Sequence, residues 1–330
     1  MTNQALNQFP DLVSVVITTY KRPHLVTRAI QSVLAQTLQE IEVIVIVDGP
    51  DPEAEAVLRQ INDPKFRFVV LPQNVKLAGA RNAGVKEAKG PWVAFLDDDD
   101  EWLPNKLELQ LKAAKASQYT YPIVSSRILN KTPKGDFVWP RRFPRPSEHM
   151  SDYLFVRRFF VQGEGFILPS TYFTKRELLL KHPFVHNKHE DYDWFLKVVA
   201  AEDVGVDYIP EVTAIWHSHT ELGRQRLGQV KNWKYSLEWI QSARPFVTPR
   251  AYASFVLIYV GSQAAGQLDW GAFGFLLKEA LREGNPRIID FIHYSVLWLF
   301  PEQVRKSLKA MLSGKSTPST QTDDKVPSVQ

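Results

Sequence analysis

The stretch FLDDDDEWLPNKL, Phe95 to Leu107, sets the terms on which the rest of the chain is read. An apolar run, Trp92 to Leu96, leads into four consecutive aspartates, Asp97 to Asp100, and Pro104 then opens a helical pattern. Adjacent carboxylates repel one another unless cations or hydrogen-bond donors neutralise them, so packing alone gives no reason for the run. If strand geometry persists, Asp97 and Asp99 point the same way and can share one hard cation, Mg²⁺ or Mn²⁺, that would bridge a diphosphate. The alternative is an acidic cluster at a helix N-terminus, with Asp100 and Glu101 complementing the helix dipole after Pro104.

Working outward, the N-terminal third alternates strand and helix. Leu12 to Ile17 is an apolar, β-branched strand, followed by Thr18, Thr19 and Tyr20 and then by a helix from Pro23, with Leu25, Ala29, Ile30, Val33 and Leu34 on one face. Val43 to Val47 is a second strand, closing on Asp48 and Gly49, and Ala54, Val57, Leu58 and Ile61 form the next helical face. Phe66 to Leu71 reads as a third strand, Ala80 to Ala88 as a helix and Trp92 to Leu96 as a fourth strand. This alternation predicts an α/β fold, a mostly parallel sheet covered by helices, with the ligand site at the carboxyl ends of the strands. The loops 18–23, 48–52 and 97–101 are therefore the ones to inspect.

With 330 residues, 44% hydrophobic and 23% charged, the chain has the composition of an ordinary globular protein, one large domain with a smaller appendage. The formal charge is only +4, although Arg141, Arg142, Arg145, Arg157 and Arg158 crowd one stretch that could attract phosphates or an anionic membrane face. The absence of cysteine excludes disulfides, thiolate nucleophiles and sulfur metal sites. No secretory signal is read in Met1 to Pro10, and the apolar stretches 251–261 and 288–300 fall short of the roughly 20 residues a bilayer span needs. A cytoplasmic protein is expected, one that can lie on the inner face of the membrane. Basic residues are not interleaved with aromatics, so no nucleic-acid partner is expected. A nicotinamide dehydrogenase is excluded because Thr18 to Arg22 stands where a glycine-rich fingerprint would follow the first strand.

After Lys115 prolines at 122, 133, 140, 144 and 146 break the pattern into loops and short antiparallel strands; a strand is read near Phe166 to Leu168 and a helix after Asp191. Beyond Glu221 the segments are helical, with Trp233, Leu237 and Ile240 on one face and Phe273, Leu276, Leu277 and Ala280 on another. The expected organisation is a catalytic domain over 1–225, a helical appendage over 226–312 and a disordered tail over 313–330.

The run Val13 to Tyr20, the pair Asp48 and Gly49, the segment NVKLAGARNAG (Asn74 to Gly84) and the acidic stretch together resemble the family 2 glycosyltransferases of the GT-A fold. The resemblance implies an inverting, metal-dependent enzyme that takes a sugar from a nucleotide diphosphate donor, with a lean to UDP-sugars. It places Thr18, Tyr20 and Asp48 at the nucleotide base, Tyr20 by stacking. Val47 stands where many members carry a second acid. Arg81 and Asn82 would border the donor pocket, Lys76 would reach the base or a phosphate or else be a solvent-exposed loop lysine, and Asp97 and Asp98 would contact the donor. Asp99 would ligate Mn²⁺ or Mg²⁺, with Asp97 and His219 as further ligands.

His189 to Trp194 resembles the family's Glu-Asp signature opening a helix, which makes Asp191 the expected catalytic base and Glu190 its alternative; both are otherwise plain helix N-terminal acids. Trp216 to His219 follows a short strand and resembles the aromatic-Arg-x-His segment, with histidine where arginine is frequent. Gly163 to Thr171 resembles the segment lining the acceptor side. The implied partners are a nucleotide-sugar donor and a glycan or lipid-linked acceptor, in polysaccharide, glycolipid or cell-envelope glycan synthesis. Transmembrane helices and the Gln-x-x-Arg-Trp stretch of processive relatives are not seen, which points to one sugar per encounter. The rival is a sugar-nucleotide or carbohydrate-binding module without catalysis.

Overall fold

The computed structural model describes residues 10–132, 135–158, 164–185, 189–201, 203–217 and 232–300. The expected tail over 313–330 and His219 lie outside the described residues. Nine strands form one sheet in the order β3-β2-β1-β4-β8-β6-β9-β5, with β7 on β6. The parallel core consists of β1 (Val13–Thr19), β2 (Ile41–Val47), β3 (Phe66–Val70) and β4 (Trp92–Asp97). Next to β4 comes β8 (Phe173–Lys175), antiparallel to it, and then β6 (Tyr121–Lys131). The far edge is made by β9 (Val204–His217), parallel to β6, and by the two residues of β5 (Glu101–Trp102); β7 (Phe137–Trp139) is a short antiparallel addition.

Every residue of β1 is buried, and the strand's period of two explains how. Val13, Val15 and Ile17 enter one apolar cluster with Val26, Ala29, Ile30 and Val33 of α1 (Pro23–Leu34), whereas Val16 faces the opposite cluster. A sheet apolar on both faces needs a helical layer on each. On the first face α1 is joined by α2 (Pro52–Leu58), whose N-terminus is capped by Asp51 accepting from Ala54 N at 3.2 Å, and by α4 (Lys106–Ala116). On the second face lies α3 (Lys76–Glu87), which can approach closely because Gly84 sits against Val16.

The second face also receives α5 (Met150–Phe155), α6 (Arg176–Lys181) and α7 (Glu190–Val198). Behind these stand the C-terminal helices, α8 (Trp233–Ser242), α9, α10 (Gly271–Glu283) and α11 (Ile288–Leu299). The segment α9 is α-helical over Pro249–Ser254, π-helical over Phe255–Val260 and α-helical again over Gly261–Gly266. Trp233, Leu237 and Ile240 are buried, as their spacing predicts, and they belong to the same apolar cluster as Val16, Phe95 and Trp194. The helical segment thus packs on the sheet layer and shares its core.

Three sequence expectations are corrected. The apolar run Phe166 to Leu168 is a packed loop, because Pro169 ends it in a short 3-10 turn (Pro169–Thr171); the strand begins only at Phe173. The helix expected from Ala80 starts at Lys76, whose φ of 67° lets the chain turn into it. Trp216 and His217 do not follow a short strand but close a 14-residue one, β9.

A methyl group on Gly84 would stand 2.2 Å from Val16 Cγ1. Gly84→Ala is therefore expected to destabilise the protein by about 1–3 kcal/mol through overpacking. In urea denaturation the second change Val16→Ala should recover part of that loss; additive losses would show that the two residues do not share this contact.

Candidate active site

Strands β1, β2 and β4 end side by side, and their following loops line one edge of the parallel core. Strand geometry ends at Asp97, yet burial still alternates along the acidic run: Asp97 and Asp99 are half-buried, Asp98 and Asp100 buried. Asp98 accepts from Thr19 Oγ1 at 2.7 Å and pairs with Arg22 at 3.2 Å. Its carboxyl is pushed up to about 7, chiefly by burial, against the lowering effect of Arg22. Asp100 accepts from Ser170 Oγ at 2.7 Å and more weakly, at 3.4 Å, from His217 N; burial drives its pKa well above the usual carboxylate range. The helix-terminus reading of Asp100 does not hold, since α4 starts only at Lys106. Glu101 is held by Arg28 at 3.2 Å and by His217 Nε2 at 2.6 Å.

Asp97 and Asp99 keep partial exposure, 26% and 14% of their side chains. Asp99 pairs with Arg22 at 3.3 Å. Asp97 accepts from Arg81 Nη2 at 2.9 Å, and the other terminal nitrogen of Arg81 reaches Glu190 Oε1 at 3.3 Å. Arg81 is 2% exposed and stands over the ring of Phe184. Burial disfavours its charge, but Asp97, Glu190 and Asp191 together outweigh burial and raise its pKa above the ordinary value. One guanidinium thus joins the end of β4 to the first turn of α7.

In that turn Asp191 is half-buried, with Oδ1 accepting from Tyr192 N at 2.8 Å. Burial raises its pKa, partly opposed by that hydrogen bond and by Arg81. Glu190 is pushed up to about 7 by burial first and by the neighbouring charge of Asp191 second. Two neighbouring carboxylates cannot both ionise without cost, and the charge of Asp191 adds to the burial that keeps a proton on Glu190. Asp193, in the same turn, is a structural acid, bound by Lys197 Nζ at 2.7 Å and Trp239 Nε1 at 3.2 Å.

The nucleotide-side residues divide. Tyr20 is 45% exposed at the end of β1, with Lys21 over its ring, and Thr18 is buried beside it. Lys76 is exposed at the start of α3. Asp48 is buried and accepts from Asn74 Nδ2 at 2.9 Å and Val75 N at 2.7 Å, so it anchors the loop into α3 and keeps a second lone pair on each oxygen. Gly49 makes that junction possible, with φ of 105° and Asn74 N only 3.1 Å from where a Cβ would be. Asn82 is turned elsewhere: its amide donates to Phe184 O at 2.8 Å and accepts from Phe184 N at 2.9 Å. Arg22, Arg28 and Ser170 were not singled out from the sequence, because only tertiary packing brings them to the acidic run.

With this geometry in view, the sequence matches Glycosyl transferase family 2 over residues 14–181, just over half the chain, and the protein belongs to that family. It is 29% identical over 250 residues to the amylovoran biosynthesis glycosyltransferase AmsB of Erwinia amylovora, covering 72% of this chain and 79% of that one. It is 37% identical over 117 residues to the succinoglycan biosynthesis protein ExoO of Rhizobium meliloti, covering 36% of this chain and 33% of that protein. To the UDP-Glc:alpha-D-GlcNAc-diphosphoundecaprenol beta-1,3-glucosyltransferase WfgD of Escherichia coli it is 31% identical over 132 residues, covering 40% and 52%. The chain thus spans a third of ExoO and about half of WfgD. The crystal structure of S. aureus TarS 1-349 in complex with UDP-GlcNAc shares the fold, with a TM-score of 0.51, 17% identity and 92% of each chain covered. The resemblance to family 2 glycosyltransferases read from the sequence is thus borne out. The family match ends before α7, so the bearing of Asp191 on the site rests on the Arg81 bridge.

Two outcomes follow from that bridge. Arg81→Met leaves two partly buried carboxylates without a cation and should lower stability by about 3 kcal/mol or more, read from the urea midpoint; an unchanged midpoint would show that the bridge contributes nothing. Glu190 holds its proton up to about 7 when folded, against an ordinary 4.5. Its contribution to stability is full below 4.5 and is lost as pH rises towards 7, because the unfolded chain releases the proton first. Glu190→Gln should flatten that part of the stability profile.

Proposed function

We propose that the protein is an inverting glycosyltransferase that moves one sugar from a nucleotide diphosphate donor, a UDP-sugar first of all, to a hydroxyl of a glycan or lipid-linked acceptor. The pathway class is polysaccharide, glycolipid or cell-envelope glycan synthesis, in keeping with the roles that the names of its relatives state. The observation that carries this reading is the Arg81 bridge, which draws the acidic end of β4 and the Asp191 turn into one cleft.

In the reaction, Asp191 takes the proton of the acceptor hydroxyl at a carboxylate oxygen. The hydroxyl oxygen bonds to the anomeric carbon as the bond to the diphosphate oxygen on the opposite face breaks, so configuration inverts and the diphosphate leaves with the electron pair. Glu190 stands beside Asp191, and Arg81 fixes its position relative to Asp97. Tyr20 supplies an exposed ring for stacking on the base, with Thr18, Asp48 and Lys76 around it.

Asp97 and Asp99 fit a divalent cation by their chemistry: hard carboxylate oxygens, partly exposed, in a chain without sulfur ligands. Among the described residues no group of three potential ligand side chains converges, and Mg²⁺ or Mn²⁺ held by one or two carboxylates draws its other ligands from phosphate and water. Bound there, such an ion would offset charge on the leaving diphosphate.

The reaction is assigned to the cytoplasmic face of a membrane. No helix among the described residues is long and apolar enough to cross one. Ile288, Ile292 and Leu299 form an exposed stripe on α11, with Arg287 at its start. Such a face supports peripheral docking on lipid.

A screen of sugar nucleotides with Mn²⁺ should find a donor that is turned over, and a chelator should abolish turnover until metal is restored. Asp191→Asn should reduce transfer on the order of 100-fold or more while leaving donor affinity nearly unchanged. A fully active variant would remove Asp191 from the mechanism. Donor binding with no turnover by the unaltered protein would favour the binding-module reading instead.

A further inference from the structure

Four tyrosines among the described residues are buried, and three of them have their hydroxyls placed. Tyr153 donates to Arg142 O at 3.1 Å, Tyr252 to Glu279 Oε1 at 2.7 Å and Tyr294 to Phe273 O at 2.8 Å. Tyr172 is the fourth. It is wholly buried, and its hydroxyl makes no hydrogen bond among the described residues. A phenol taken out of water without a partner is costly, so an unpaired one calls for a role. Burial drives its pKa well above the ordinary tyrosine range, and among the charges that act on it Asp191 adds most to that rise. The hydroxyl is therefore a neutral O–H donor.

Tyr172 is held beside the base from two sides. It follows the 3-10 turn Pro169–Thr171 and closes it, its N–H donating to Pro169 O at 2.8 Å. That turn is pinned: Ser170 Oγ donates to Asp100 and accepts from Asp97 N at 3.3 Å, and Thr171 O accepts from Gln110 Nε2 at 2.7 Å. On the other side the ring of Tyr172 packs on Trp194 at 5.6 Å and on Phe195 at 6.0 Å. These residues follow Asp191 by three and four places in α7, the spacing that puts side chains on one helix face. Asp191 commits Oδ1 to Tyr192 N at 2.8 Å, which leaves Oδ2 for a further donor. Facing Asp191 are Glu190 and Tyr192 of its own helix, Arg81 of α3, Asp97 of β4, Tyr259 of α9 and Tyr172. Arg81, the cation of this set, is already shared by Asp97 and Glu190.

We propose that Tyr172 is a positioning residue for the catalytic base: its hydroxyl donates to Asp191 Oδ2 as that carboxylate ionises, and holds it charged and in place for the acceptor's proton. This rests on the reading of Asp191 as the base and adds a residue that acts through it. Burial works against an ionised Asp191, and a donor to the ionised form opposes that effect. A hydrogen bond to a charged oxygen is roughly twice as strong as one between neutral groups, so the hydroxyl is drawn in when the charge appears.

The test is an NMR titration of the carboxyl carbons in protein labelled at aspartate, with the Asp191 signal identified by its loss in Asp191→Asn. Tyr172→Phe keeps the ring on Trp194 and Phe195 and removes only the oxygen. Asp191 should then hold its proton roughly tenfold more tightly and ionise at higher pH. Tyr208→Phe, which removes another buried hydroxyl that lacks a partner, should leave that titration where it is. With the sugar nucleotide that the donor screen finds turned over, Tyr172→Phe should lower kcat most on the acid side of the pH profile, where the base is now protonated, and leave KM for the donor unchanged. An Asp191 titration unmoved by Tyr172→Phe overturns the proposal, and a higher urea midpoint alongside it would mark the hydroxyl as idle. An equal shift in Tyr208→Phe also overturns it, by tracing the effect to the loss of any buried phenol oxygen. Failure of every sugar nucleotide to turn over strikes at the glycosyltransferase reading, and the titration still decides whether Tyr172 acts on Asp191.

Discussion

The meeting of the acidic end of β4 with the first turn of α7 depends on one buried guanidinium. Arg81 projects from α3, packs over Phe184 and divides its nitrogens between Asp97, at the end of a strand, and Glu190, at the start of a helix 93 positions later in the chain. A lysine ammonium is a point charge on a flexible stem, whereas a guanidinium presents a rigid fork that can serve two acids at fixed separation. Its single charge does not balance Asp97, Glu190 and Asp191 together. Burial first, and the neighbouring charge of Asp191 second, favour proton uptake, so Glu190 holds its proton up to about 7. Arg81 opposes that uptake, so the interaction that sets the geometry also limits how far the acids are driven to hold protons.

The acidic run solves its own repulsion in two ways. Asp98 and Asp100 are buried and tied to neutral hydroxyls, Thr19 and Ser170, with Arg22 at the first and a weaker backbone contact from His217 at the second. These two hold the turn in place. Asp97 and Asp99 retain partial exposure beside their arginine contacts. Alternation survives past the end of the strand, so the turn presents one pair of carboxylates outward and uses the other pair as its foundation.

Much of this was legible in the sequence where the signal was local. Near-continuous apolar runs such as Val43 to Val47 mark strands buried on both faces, and α1 is readable from Pro23 and the spacing of Leu25, Ala29, Ile30, Val33 and Leu34, of which Ala29, Ile30 and Val33 are buried. The long pairing of β6 with β9 was not legible: β9 is interrupted by Asp207, Pro210 and Glu211, and the register shifts between Ser126 and Ile128 show that the two strands are not regular partners. The run Phe166 to Leu168 misled because its apolar residues are buried as a loop, with Phe166 stacked on Trp216. In the site, residue types adjacent to strand ends could be picked out, whereas the roles of Arg22, Ser170 and the Phe184 contact of Asn82 depend on separations of 70 residues or more that no local pattern encodes.

The C-terminal helices belong in the account of the site because they carry the back of α7. His189 Nε2 and Ser236 Oγ are 3.1 Å apart, Trp239 donates to Asp193, and the rings of Tyr192 and Trp239 lie 6.5 Å apart. The widened π-helical turn of α9 brings Phe255 and Tyr259 into a stack and sets both against His189, the residue that precedes the Glu190–Asp191 pair. Arg81 fixes α7 from the sheet side and these aromatic contacts fix it from the other. A carboxylate that must accept a proton from a bound hydroxyl is useful only if it cannot swing away, and here its helix is clamped between two layers. The helical segment that reads as an appendage packs directly on α7 and shares the apolar core of the sheet layer.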